Sequence, residues 1–171
     1  MPPPSQPCDP TSQNVKAFLK LLRWLENYPR DDDGVYLVMF GGSTFTDTTK
    51  HPNIANSRWN RTSTAAGAYM FVFGTWKEAV DKKVITDFTP ASQDTLAWWK
   101  IGRRNAQVAV CGGRNTLSDA FSLLSSEWAS LPGASQSQVK ESEARNKYES
   151  YLLQFAPAAS SPAPAAPGQE K

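Results

Sequence analysis

Cysteine is scarce in this chain, with two residues, Cys8 and Cys111, among 171. That excludes the dense disulfide framework that staples small secreted domains, and both thiols are expected to be reduced. Charge of one sign is also lacking. Eighteen Lys and Arg against sixteen Asp and Glu leave a net charge of +2, too weak to point to a nucleic-acid partner, though it permits attraction to anionic polymers. No apolar run approaches the ~20 residues that a membrane-spanning helix requires. The opening MPPPSQPCDP has neither the basic nor the apolar region of a signal peptide. A soluble chain made in the cytoplasm, without membrane insertion, is the expectation. Internal repeats are missing too, which excludes solenoids and propellers.

Proline is plentiful only at the two ends. Of 13 prolines, five fall in residues 1–10 and four in 156–171. Such composition cannot offset its own ordering entropy. Disordered tails are therefore expected at 1–13 and 156–171, around one folded domain at 14–155. With 40% hydrophobic residues, that domain can bury one core of ordinary size.

Within it, Val15, Phe18, Leu19, Leu22 and Leu25 recur at helical spacing, so an amphipathic helix is expected over 14–27, capped by Asn14 and closed before Pro29. The run VYLVMF at 35–40, then Gly41-Gly42 and STFT, reads as a β-hairpin. Residues 65–83 read as a helix on length. Thr89-Pro90 opens another through about Arg103. Leu117, Phe121, Leu124 and Trp128 form a further helical stripe, and Tyr148, Tyr151, Leu152 and Phe155 a last one. Trp98 and Trp99 cannot share one helix face, so at least one belongs to the core. Helices beside one small hairpin predict an α+β domain of two lobes, with a ligand groove between them.

Glu26 is the most informative residue. Stepping back by 4, 7, 8 and 11 positions gives Leu22, Leu19, Phe18 and Val15, so its carboxyl sits on the apolar stripe. Desolvation and the negative end of the helix both raise a carboxyl pKa toward the range useful for a general acid. The alternative is that Glu26 reaches solvent or pairs with Arg23 or Arg30. Asp31, Asp32 and Asp33 follow Pro29 closely, and a run of this kind is ordinarily a solvated loop.

The run AFLKLLRWLE at 17–26 resembles the first helix of the lambda-type endolysin family, which ends in the catalytic glutamate. Four further blocks resemble the same family in the same order: GGSTFTDTTKHP at 41–52, STAAGAYM at 63–70, DFTPASQD at 87–94 and EWASLPGASQSQ at 127–138. The resemblance implies a lysozyme-like fold and a peptidoglycan lytic transglycosylase with Glu26 as acid and base, acting with neither metal nor organic cofactor. Such an enzyme cleaves the bond between N-acetylmuramic acid and N-acetylglucosamine and closes a 1,6-anhydro ring. It further implies a monomer that waits in the host cytoplasm until a holin releases it to the cell wall. Two alternatives stay open: a hydrolytic muramidase, and a non-catalytic peptidoglycan-binding or lysis-regulating protein. At the positions where inverting phage lysozymes carry their aspartate and threonine, this chain has Val35 and Gly41.

The matched blocks add further candidates for substrate binding. Asp47 and His51 would shape the groove, and Tyr69 would hydrogen-bond or stack on a sugar from a groove-facing helix, with core packing as its alternative. Met70 stands where the family has a glutamine. Residues 53–64 would form a mobile lip, in which Trp59 stacks on a sugar while Arg58 and Arg61 meet carboxylates of the peptide stems. A second lip would be 131–138. Since the 156–171 segment carries no apolar stripe to dock, its deletion is expected to leave the melting temperature and the specific activity on purified peptidoglycan nearly unchanged. A fall of several degrees in thermal unfolding would refute that reading.

Overall fold

A computed structural model describes residues 8–158. Helix α1 (Gln13–Glu26) runs through the centre, with Val15, Ala17, Phe18, Leu19, Leu21, Leu22, Trp24 and Leu25 all buried. It is amphipathic as the spacing predicted, with a broad apolar face and a polar stripe of Lys16, Lys20 and Arg23. Ser12 caps it, the hydroxyl accepting from the Val15 amide. Asn14, expected as the cap, lies inside the helix and donates to the Cys111 carbonyl.

Against α1 pack α6 (Glu141–Gln154), with the most extensive contact, and α4 (Gln107–Cys111), while α2 (Phe73–Asp81), α3 (Pro90–Arg103) and α5 (Leu117–Leu124) complete the helical body. Thr89 caps α3 as expected, and Pro90 occupies the first turn. The short α4 has no counterpart in the sequence reading. Helix α5 ends before Trp128, whose buried ring follows in the next turn. Trp98 and Trp99 are each half-buried against the core. No helix among the described residues is long and apolar enough to cross a membrane.

The smaller lobe departs most from expectation. Gly41 and Gly42 do form a turn with φ of 91° and 100°, but its flanks make only isolated bridges, such as Val38 to Thr44. Asp33–Leu37 is a 3₁₀ turn, because the Asp32 carboxylate captures the Gly34 amide and diverts the backbone from a strand. The regular hairpin lies further on. Strands β1 (Asn56–Arg58) and β2 (Arg61–Ser63) pair antiparallel within the segment read as an irregular lip.

The helix expected over 65–83 begins only at Phe73. Gly67 at φ 78° and Met70 at φ 49° fold 65–72 into a turn, with Ala66 bridging to Met39 and Phe71. Positive φ is incompatible with a right-handed helix. Gln93, wholly buried on α3, holds this turn: its carbonyl accepts from the Ala68 amide, while its amide donates to the carbonyls of Tyr36 and Phe88. A Cβ at residue 67 would stand 2.3 Å from the Gln93 side-chain oxygen, so glycine is required there by space as well as by φ.

The expectation of separate reduced thiols is overturned. Cys8 and Cys111 form a disulfide, with Cα atoms 6.0 Å apart, within the usual span. Cysteine density says nothing about the spatial approach of one pair. This link and the Ser12 cap also fix residues 8–13 to the body, so the expected N-terminal tail is corrected from residue 8 onward. The remainder of both tails, residues 1–7 and 159–171, lies outside the described residues. Replacing Gln93 with Leu would strand one amide and two carbonyls in the core, and we expect a loss of at least about 2 kcal/mol in urea unfolding. A loss below half of that would show that Gln93 does not organise the turn.

Candidate active site

Between the helical body and the small lobe lies a cleft of about 570 Å³. Glu26, the last residue of α1, opens into it. Leu25, Val38, Met39, Ala65, Met70, Val72 and Trp128 supply apolar walls, and Ser130 approaches from the opposite side. Burial among these groups pushes the Glu26 carboxyl up to about 7, against the opposing effect of hydrogen bonds from the Ser130 hydroxyl and amide. Neither Arg23 nor Arg30 pairs with it. Arg23 turns away to the Tyr69 hydroxyl and Asp94, and Arg30 binds Asp32.

Ser130 was not singled out from the sequence. It belongs to an irregular segment held at three points. The Trp128 ring donates to the Tyr69 carbonyl at 3.2 Å, Leu131 is fully buried, and Glu127 pairs with Lys100 of α3 at 2.9 Å and with Arg104, the residue that closes α3, at 2.7 Å. Burial would raise the Glu127 carboxyl, but the hydrogen bonds from Lys100 and Arg104 outweigh it and hold it below its ordinary value. Among the described residues, Glu26 and Glu127 are the carboxylates lining the cleft. One tends to keep its proton near neutrality, and the other is ionised and committed to two cations.

The remaining candidates divide. Trp59 and Met70 line the cleft. Trp59 is 68% exposed and meets Phe40 edge-on. Tyr69, expected on a groove-facing helix, is instead fully buried and donates to Asp94 at 2.5 Å. His51 is buried as well. Its ring bonds the Phe71 carbonyl at 2.7 Å and accepts from the Asn53 amide, and burial lowers its pKa. It pins the loop behind the cleft wall and does not reach the cleft. Asp47 is exposed and turned back onto its own Thr49 amide and hydroxyl, a local side-chain turn that occupies the carboxylate. Asp31 is engaged with Lys147 and Tyr151, so the three-Asp run contributes nothing to the cleft.

The endolysin family model matches residues 16–155. This chain belongs to the endolysin family. It is 33% identical to the endolysin of Escherichia phage lambda over 146 residues, covering 82% of this chain and 87% of the relative. It is also 34% identical to that of Escherichia phage P2 over 147 residues, covering 77% and 87%. Among solved structures it is similar to a bacteriophage lambda lysozyme complexed with a chitohexasaccharide, with TM-score 0.73, 30% identity, and 82% and 94% of the two chains covered. A second lambda lysozyme structure gives a TM-score of 0.66 at 29% identity, with 84% and 92% covered. The α+β, lysozyme-like fold expected from the sequence is therefore the fold of this endolysin.

Since Ser130 opposes the effect of burial on Glu26, Ser130→Ala should raise the Glu26 pKa above about 7. A carboxyl-carbon NMR titration would read it. A fall, or no change, would remove Ser130 from the site.

Proposed function

We propose that this endolysin cleaves the bond between N-acetylmuramic acid and N-acetylglucosamine in peptidoglycan as a lytic transglycosylase. The observation carrying this reading is the pair of carboxyls in the cleft. Glu26, poised near neutrality, gives its proton to the glycosidic oxygen as that bond breaks. The C6 hydroxyl of the muramic residue then attacks C1, and the Glu26 carboxylate takes the hydroxyl proton, leaving a 1,6-anhydro ring. A water-activating second carboxylate is what an inverting hydrolase requires, and Glu127 is tied to Lys100 and Arg104. Val35 and Gly41 offer no acid either. An intramolecular nucleophile needs only Glu26 and gains from proximity.

In this reading Ser130 steadies the carboxylate once it is ionised, and Trp59 and Met70 contact the sugars. Met70 cannot donate the hydrogen bonds of an amide, so it contributes apolar surface alone. Tyr69 and His51 support the walls. The protein acts as a monomer without cofactor, and reaches the cell wall after holin-dependent release from the host cytoplasm.

Glu26→Gln keeps shape and removes the proton, so lysis should fall at least about a hundredfold, the contribution of a positioned general acid. Wild-type digests should contain muropeptides lighter by one water and two hydrogens than their borohydride-reduced counterparts. If mass spectrometry shows only reducible muramic ends, the enzyme is a hydrolase. If Glu26→Gln retains more than a few per cent of activity, Glu26 is not the acid.

A further inference from the structure

The hairpin at the rim of the cleft carries three unfavourable features within four residues. Arg58 and Arg61 are direct partners across the β1–β2 ladder, and residues so paired project from the same face of the ribbon, where like charges repel. Trp59 holds φ at 50°, a left-handed conformation that costs about 1–2 kcal/mol for a residue with a side chain. Its indole is also 68% exposed. Costs concentrated at one surface position point to a ligand that relieves them.

Both arginines line the cleft, and neither has an ion-pair partner among the described residues. Arg58 lies over the Trp59 ring at 4.5 Å and donates to the Gly41 carbonyl at 2.5 Å. These contacts fix its planar group in place without neutralising it. The Arg61 side chain makes no hydrogen bond among the described residues and is exposed. The cleft carboxylates do not offset them, since Glu127 is satisfied by Lys100 and Arg104.

We propose that the β1–β2 hairpin is a carboxylate-binding subsite of the cleft: Arg58 and Arg61 grip an acidic substituent of the glycan strand while Trp59 stacks on the adjoining sugar. The proposal rests on the reading of the cleft as a glycan site and deepens it from a bare sugar chain to an acid-bearing one. Guanidinium groups suit this task because they bind carboxylates through two parallel hydrogen bonds. Carboxylates on such a strand come from two sources, the peptide stems and the lactyl ether of a stripped muramic residue.

The test measures kcat/KM on three soluble strands: peptide-bearing, peptide-bearing with its carboxylates amidated, and amidase-stripped with free lactyl carboxylates. Wild type is expected to prefer the first over the amidated strand by about two- to fivefold, as one exposed ion pair contributes, with the preference shrinking at high salt. Arg61→Gln and Arg58→Gln/Arg61→Gln should bring that ratio toward one. If the first strand alone is preferred over the amidated one, the stems are the ligand; if the stripped strand alone is, the lactyl group is. Equal cleavage of all three strands by wild type, or variants that lose the same factor on every strand, overturn the proposal. The ratio does not depend on whether the product ends are anhydro or reducing, so failure of the transglycosylase reading would be seen separately.

Discussion

The burial of the broad apolar face of α1 constrains everything else in this endolysin. Because that face is packed into the core, each polar group at its margin must find a partner in the surrounding shell or open onto a cavity. Asn14 reaches the Cys111 carbonyl, Gln13 the Leu152 carbonyl, and Arg23 the Tyr69 hydroxyl and Asp94. Asn27, which follows the helix, donates to the carbonyls of Arg23 and Ala68 and so joins the helix end to the small lobe. Glu26 differs from these groups in opening onto the cleft, where Ser130 meets it. Its place on the helix puts it at the seam between the lobes, and its high pKa follows from where the helix ends.

The two sides of the cleft are then held by unlike means. The lobe side depends on Gln93, whose one amide group serves three separated backbone segments, and on His51, whose ring fastens the Phe71 carbonyl. The opposite side, with Ser130, hangs on ion pairs to Glu127 from Lys100 of α3 and from Arg104 at its end, and on the buried Trp128 and Leu131. Helix α3 carries anchors for both. A single rigid element therefore sets the distance across which Glu26 and Ser130 face each other, which suits a site whose acid must stay both desolvated and oriented.

The hairpin at the rim has neither kind of support. It is exposed, its turn residues are strained, and its charges repel. Such an element is poorly matched to stabilising the fold and well matched to meeting a ligand at the cleft mouth.

The sequence by itself determined the central helix, its carboxylate, the capped start of α3 and the turn at Gly41-Gly42, because these depend on local spacing and on residue-specific φ preferences. The quoted blocks also sufficed to place the chain among lysozyme-like endolysins. Tertiary structure decided the rest. Whether Tyr69 and His51 faced the cleft or the core depended on which segments packed against them, and residue type is the same in both cases. The hairpin at 56–63 was hidden because its strands are short and polar, and the helix expected at 65–72 gave way to bridges with residues nearly thirty positions earlier. Ser130 carries no periodic signal, since its role comes from a side chain one hundred and four residues away. The Cys8–Cys111 pair likewise exists only through the approach of two distant segments, which no count of cysteines can express.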